Sequence, residues 1–486
     1  MEQIIYNIRY CTGCSACSQV CPRGAVAMEA DDEGFIFPKI NGERCNDCGL
    51  CRRTCPVNAA FEKTGSIVTD TDGTSVFTAG RSSVPVFGSR ENSAAESVRD
   101  ETDGGCRKST DGSASNFGGM RAFACCSKND GTREKSSSGG IFSELAAKTL
   151  EDGGAVFGAA FDSEFNVKHK CIESIGELDD LRRSKYVQSE IGETFKEAEK
   201  YLKEGRKVLF CGTPCQIAGL KAYLGKKYAG LTACDLACFG VPSPKVWRMF
   251  VDYLGKRYNS RISSVSFRDK SGGWRESSVS IGFENGGRYV VSVKKELYLM
   301  GFFKNLYTRR SCFDCRFRIQ NSQADITLAD FWGIEKLKGL AKRKGPAATD
   351  GGTMLMDSDR TVKGDDIATI DGDTLPEAGD TRAREDDTAV RDDNRGISLV
   401  ITHTKAGEEA LFGISDRADI VEYAPEDAVR YNPRLVSSLP EPAGRARFFA
   451  DMKNGHSFDR LRRKYMDNTS IKYQVKCIIK KVLGRG

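Results

Sequence analysis

Eight cysteines in two copies of one spacing confine the first 55 residues to a short menu of structures. Cys11, Cys14, Cys17 and Cys21 are followed by Pro22, and Cys45, Cys48, Cys51 and Cys55 by Pro56, so that each copy reads CxxCxxCxxxCP. Three thiolates this close in the chain suit three irons of one [4Fe-4S] cube, while the fourth crosses to the other cube. The expected ligand sets are therefore mixed: Cys11, Cys14, Cys17 and Cys55 for one cluster, and Cys45, Cys48, Cys51 and Cys21 for the other. Gly13 and Gly49 allow the positive φ that turns backbone N–H groups toward sulfur, and the prolines close each loop. A zinc ribbon would use only four of the eight thiolates.

This spacing is that of a bacterial-type 2[4Fe-4S] ferredoxin domain, expected over residues 1–63, and it accounts for a small part of 486 residues. The rest must form further domains, because one core of that size is too small for the chain. No apolar run approaches the roughly 20 residues that span a bilayer. The first cysteine follows the N-terminus too closely for a secretory leader. Nineteen cysteines without an export signal point to metal and redox chemistry in a reducing compartment, and the expected localisation is cytoplasmic.

Charge divides along the chain. The net of +6 conceals a basic end, residues 458–486 with nine Lys/Arg against two Asp, and an acidic stretch, 349–393, with fourteen Asp/Glu against five Lys/Arg. In the basic end Ile471, Val475, Ile478, Ile479 and Val482 recur at roughly helical spacing. It reads as an amphipathic helix packed on the protein, with an anionic membrane or a partner as the alternative. No aromatic platform is interleaved with these charges, which argues against nucleic acid as a ligand. Residues 64–118 and the acidic stretch are poor in large apolar side chains and read as flexible inserts, so Cys106 receives no ligand role. The expected division is 1–63, 64–118, an ordered unit 119–340, the acidic insert 341–394, the remainder of that unit 395–457, and the tail 458–486.

Inside the ordered unit, SSSGGIFSELAAKTLEDGG predicts a helix of about three turns after the Ser and Gly residues, with Ile141, Phe142, Leu145 and Leu150 on one face. Its free N–H groups suit an anion such as a flavin diphosphate, or an ordinary capped helix. Further on, a buried strand ends at Phe210, a turn CGTPC follows, Gln216–Leu224 reads as a helix with Thr213 as cap and Pro214 leading it, and Leu231–Leu236 reads as a second strand. A strand–helix–strand unit runs its strands parallel, so Cys215 and Cys238 reach the same carboxyl edge. Cys312 and Cys315 add a CxxC pair, and four thiolates could converge there on a third cluster or on zinc, which spacing alone does not separate. Cys211 and Cys234 read as buried strand residues, while Cys125, Cys126, Cys171 and Cys477 lack partners at ligand spacing.

Seven strings in order resemble one family: KSSSGGIFSELA (135–146), SKYVQS (184–189), VLFCGTPCQIAGLK (208–221), DLACFGVPSPKVW (235–247), SFRDKSGGW (266–274), SCFDCRF (311–317) and DITLADFWGI (325–334). The chain resembles the coenzyme F420 hydrogenase/dehydrogenase beta subunit family, joined to the ferredoxin domain. The resemblance implies an α+β or α/β fold with a mixed-sheet domain for flavin and a cluster. It also implies bound FAD, a third [4Fe-4S] cluster on Cys215, Cys238, Cys312 and Cys315, and electron transfer between a hydride-carrying coenzyme and the clusters, with ferredoxin or another redox protein as partner. Flavin contacts carried over this way are Ser137, Ser138, Gly139 and Gly140 at the helix start, Lys185 and Tyr186 near the ring or diphosphate, and Asp330 and Trp332 in the same cleft. Phe239 stands where many members of the family have histidine, and Ala329 where glycine usually precedes the aspartate. Two rivals share these parts: a ferredoxin-fed flavin reductase of an organic substrate, and a non-catalytic carrier subunit of a larger complex. No GxGxxG marks a nicotinamide site.

Overall fold

The computed structural model describes residues 4–5, 7–64, 68–69, 75–76, 117–337, 390 and 393–466. Most of the insert 64–118, the acidic stretch, Cys106, Cys477 and the apolar positions from Ile471 to Val482 lie outside the described residues. The strands in chain order are β1 Val26–Ala30, β2 Ile36–Ile40, β3 Val68–Thr69, β4 Ser75–Val76, β5 Arg121–Ser127, β6 Ala155–Phe161, β7 Val167–Ile172, β8 Val208–Gly212, β9 Leu231–Leu236, β10 Ile262–Asp269, β11 Ser278–Phe283, β12 Arg288–Ser292, β13 Ile326–Asp330, β14 Ser398–Thr402 and β15 Ala418–Tyr423. Eight of them form one sheet in the order β15-β5-β14-β13-β9-β8-β6-β7.

The middle of that sheet, β13, β9, β8 and β6, is parallel, and antiparallel strands extend it on both sides. Parallel strands are covered on both faces and so read as unbroken apolar runs. Val208-Leu-Phe-Cys-Gly212 is such a run and is buried throughout. The helix after it begins with a capping box in which Thr213 and Gln216 satisfy each other's backbone N–H groups, has Pro214 in its first turn, and stops at Gly225 with φ 64°. The helix Ile141–Glu151 buries Ile141, Leu145 and Leu150 against the other face, and Cys211 and Cys234 lie in the same apolar cluster. A separate antiparallel sheet, β10-β11-β12, packs with the helix Pro244–Tyr258. The first helix of the basic tail, Phe458–Tyr465, buries Phe458 and Leu461 in that cluster.

The head formed by the β1/β2 hairpin and the cysteine loops is embedded in the body. Gln19 Oε1 accepts from the backbone N–H groups of Phe195 and Lys196 at 3.0 and 3.2 Å, so a head side chain caps a body helix, Thr194–Lys203. Cβ added at Gly219 would stand 2.9 Å from Cβ of Cys14, which shows how close the helix Pro214–Leu224 lies to the head. Arg309, 1 % exposed, donates to Cys11 O at 2.7 Å, Ile36 O at 2.9 Å and Gln188 Oε1 at 3.1 Å.

Candidate functional site

Within the head, the two cysteine loops turn through left-handed residues, Gly13 at φ 68° and Ser15 at 62° in the first and Asp47 at 52° and Gly49 at 71° in the second. Cys11, Cys14, Cys17 and Cys55 are all buried and line one hollow of about 330 Å³ including its opening to solvent. Cys21, Cys45, Cys48 and Cys51 line another of about 350 Å³ counted the same way, and there Cys48 is exposed. The fourth cysteine of each run has thus crossed to the other set, as its spacing implies. Burial first, then the neighbouring Cys14, pushes the Cys55 thiol up to about 12. Cys17 is raised by burial and then by Cys14, Cys11 and Cys55. Among the described residues no group of three or more His, Cys, Asp or Glu side chains stands as a single-ion site; the head thiols surround cavities.

The third set assembles from three separate segments of the body. Cys215 stands in the first turn of the helix Pro214–Leu224, Cys238 follows β9, Cys312 lies in the short turn Arg310–Asp314, and Cys315 directly after it. Burial raises Cys215 well above the thiol range, and Cys238, Cys315 and Cys312 add repulsion in that order. Cys312 is pushed to about 12 by burial and then by Cys238 and Cys315. For Cys238 burial dominates, the Arg318 guanidinium works against it, and the result is about 11. Thr213 Oγ1 lies 3.2 Å from the Cys215 sulfur, and Gly240 N donates to that of Cys238 at 3.4 Å. Cys215 and Cys315 pack in one apolar cluster with Cys11, Cys55, Val57, Phe61, Ala218 and Phe317, so the inner set touches the first head set rather than the second.

Cys238 also lines a large cleft at the carboxyl edge of the parallel strands, about 1550 Å³ including its open mouth. Of the eight residues expected around a flavin, Ser137, Ser138, Gly140, Lys185, Tyr186, Asp330 and Trp332 line it. Gly139 does not: it is pressed onto the sheet, where an added Cβ would stand 2.4 Å from Cys125 O and 2.7 Å from Ser398 N, so close packing explains this glycine. Gly140 caps the helix Ile141–Glu151 at φ 92° without a side-chain cap, leaving first-turn N–H groups at the cleft. Behind the serine loop, Lys270 Nζ donates to Ser138 O at 3.1 Å and Arg395 O at 2.7 Å, and burial followed by Arg133 lowers it to about 8. Trp332 stacks on Trp274 with centroids 4.5 Å apart, and Asp330 accepts from Trp274 Nε1 at 3.0 Å and pairs with Arg268 at 3.4 Å.

Lys185 is half-buried, and its Nζ donates to Asp180 O at 2.8 Å and Arg182 O at 2.7 Å. Desolvation lowers it to about 7, against the carboxylate of Asp180. Several cleft residues carried no signal in the sequence, and Phe239 stood out there only as a departure from the family. His169 in β7 is buried, shares a hydrogen bond of 3.1 Å between Nε2 and Cys211 O, and is lowered to about 4 by burial. Arg182 and Arg183 line the mouth, and Leu236 and Phe239, each 40 % exposed, present apolar surface inside it. Asn432 arrives from beyond the acidic stretch and donates to Asp330 O at 3.2 Å. Only the folded sheet edge brings these residues together.

Residues 205–428 match the family model for the C terminus of the coenzyme F420 hydrogenase/dehydrogenase beta subunit, and residues 10–59 match a 4Fe-4S dicluster domain. A ferredoxin of Methanocaldococcus jannaschii is 34 % identical over 61 residues, 13 % of this chain and 78 % of that protein. The ketoisovalerate oxidoreductase subunit VorC of Methanothermobacter marburgensis is 37 % identical over 60 residues, 12 % of this chain and 76 % of that protein. Among solved structures, a chain of the F420-reducing [NiFe] hydrogenase complex from Methanosarcina barkeri aligns over 71 % of this chain and 90 % of its own, at 16 % identity and a TM-score of 0.36. Among the described residues no helix is long and apolar enough to cross a membrane. Over residues 205–428 the chain is thus related to the coenzyme F420 hydrogenase/dehydrogenase beta subunit family, it carries an N-terminal 4Fe-4S dicluster domain, and it is an iron–sulfur electron-transfer protein of the oxidoreductase type.

Proposed function

We propose that the chain is an iron–sulfur flavoprotein that exchanges electrons between a hydride-carrying coenzyme at the cleft and a redox protein such as ferredoxin at the head. The observation that carries this reading is the double position of Cys238, which lines the cleft and belongs to the inner thiol set, while Cys215 and Cys315 of that set pack against Cys11 and Cys55. The donor sets fit [4Fe-4S] clusters, being all thiolate, four to a group, with N–H groups directed at Cys21, from Ala25 at 3.3 Å, and at Cys238. FAD, when bound, takes up two electrons as a hydride and releases them singly, the conversion that a hydride donor and one-electron clusters require of a protein between them.

The cleft residues fit such a group on their own chemistry. The uncapped helix start at Gly140, with Arg182, Arg183 and Lys270 near it, makes a positive field for a diphosphate. Leu236, Phe239 and Phe302 give apolar surface against which a flat ring excludes water, and the Trp274–Trp332 stack stiffens one wall. Anaerobic reconstitution followed by iron and flavin counting tests the whole reading. The expected result is about twelve irons and one flavin per chain, with Cys215→Ser or Cys315→Ser losing about four irons and keeping the rest. About eight irons without flavin, or unchanged iron in both variants, overturns it.

A further inference from the structure

Of the twelve cysteines grouped in the three thiol sets, Cys48 alone is exposed; Cys11, Cys14, Cys17, Cys51 and Cys55 are buried, and the other six are intermediate. The second head set is therefore the one that meets solvent, at the end of the row farthest from the cleft. Its rim is basic. Arg23 lines the cavity that these thiols surround, Arg44 precedes Cys45, Arg52 and Arg53 follow Cys51, and all four arginines are exposed. Among the described residues no ion pair engages Arg23, Arg44 or Arg53. The acids of the same face are fewer. Glu29 is paired with Lys39 at 2.9 Å, and the other acids are Glu43 and Asp47, the latter with Oδ1 3.8 Å from the Cys45 sulfur. The acidic hairpin turn points the other way: Asp32 pairs with Lys453 at 3.0 Å and Glu33 with the buried Arg445, both on the body.

We propose that this rim is the docking face for an acidic electron-carrier protein, whose carboxylates meet Arg23, Arg44, Arg52 and Arg53 and bring its redox centre beside the exposed edge at Cys48. The proposal rests on the second head set holding a cluster, and it adds to the functional reading where electrons cross and what charge the partner carries. Complementary charge steers encounter and sets its dependence on salt more than it adds affinity. Exposed guanidinium groups lose most of that effect once the screening length falls below the separation of the two surfaces.

The experiment uses the full chain, reconstituted, reduced with dithionite and desalted, then mixed by stopped flow with an acidic ferredoxin or with a basic c-type cytochrome. The expected result is a second-order rate for the acidic carrier that falls about tenfold or more between low and physiological-to-high salt. Arg44→Glu/Arg53→Glu should lower that rate about tenfold at low salt and flatten its salt dependence, with iron content and cluster potentials unchanged. Lys405→Glu, on the helix Lys405–Phe412 of the body, should leave it unchanged. Should the double variant lose iron, Arg23→Glu and the salt dependence of the unaltered chain give the same reading. A rate indifferent to salt, a faster reaction with the basic carrier, or charge reversals that move the potentials while the salt dependence stays intact overturns the proposal. Chemical reduction bypasses the cleft, so failure of the flavin reading shows in the flavin count and failure of docking shows only here.

Discussion

Replacing Arg309 by Met should loosen the head from the body without touching a thiol. The guanidinium is buried and supplies three hydrogen bonds at 2.7, 2.9 and 3.1 Å, two of them to head carbonyls and one to Gln188. It also lies 4.2 Å from the ring centroid of Phe37. Bonds of this charged kind are worth about 1.5–3 kcal/mol each, and a buried acceptor left without a donor costs about 1–3 kcal/mol. Relief of the desolvation borne by the guanidinium offsets part of the sum, which leaves about 3–5 kcal/mol, the range for breaking one side of a buried charged network. At about 1.4 kcal/mol per decade, that raises the population with the head detached roughly a hundredfold to several thousandfold. Hydrogen exchange reads this directly at amides whose protection depends on the seam, such as Phe195 N and Lys196 N, both bonded to Gln19. Arg309→Lys keeps the charge but not the planar fork and should fall between the two. Exchange in Arg309→Met within a factor of three of the unaltered protein would refute the assignment of Arg309 as the bolt.

Gly219→Ala places a methyl 2.9 Å from Cys14 Cβ and 3.0 Å from its sulfur. The helix gains about 1 kcal/mol in propensity, but overpacking against a neighbour that cannot move freely costs about 1–3 kcal/mol, so the net is destabilising and iron is lost first from the set containing Cys14. Trp332→Ala removes one partner of the stack at 4.5 Å and should weaken flavin binding roughly three- to tenfold with iron unchanged, read by quenching of flavin fluorescence. His169, lowered from 6.5 to about 4, stays neutral in the folded chain while the unfolded chain takes up a proton below 6.5, so its contribution is lost as pH falls from 6.5 toward 4. His169→Gln should recover about 2 kcal/mol of the loss between pH 7 and pH 5, seen as a smaller drop in anaerobic thermal midpoint; an identical drop sinks the assignment. Cys211→Ser should leave iron content unchanged, because Cys211 lies in β8 among apolar side chains.

What the sequence made legible was whatever chemistry repeats locally. The crossed grouping of the head cysteines followed from spacing, and the capping box at Thr213 and Gln216 from residues three apart. The shared edge that carries Cys215 and Cys238 followed from the rule that strand–helix–strand units run parallel. Contacts between distant segments were not legible. Gln19 and Phe195 stand 176 positions apart, and no pattern around Gln19 marks it as the cap of another helix. Trp274 and Asn432 reach Asp330 from either side in sequence, and their partnership exists only after the sheet has closed. Gly139 shows the opposite error: a glycine in a serine–glycine loop suggests room for a ligand, whereas here the room is filled by the backbone of Cys125 and Ser398.

The embedding of the head also explains how a long insert can separate it from the body. If head and body met only through the connecting chain, residues 64–118 would set their effective concentration, and every added residue would dilute the contact between the inner thiols and Cys11. The contact is instead held by groups outside that segment: Arg309 on Cys11 and Ile36, Gln19 on the helix Thr194–Lys203, Arg445 on Glu33, and the apolar seam of Phe61, Ala218 and Phe317. Closing a loop costs only about 0.6 kcal/mol more for each doubling of its length, far less than the Arg309 network alone supplies. Insert length and thiol spacing are therefore independent quantities in this chain, and a segment with few apolar residues can lengthen at that junction without moving one cysteine set relative to the next.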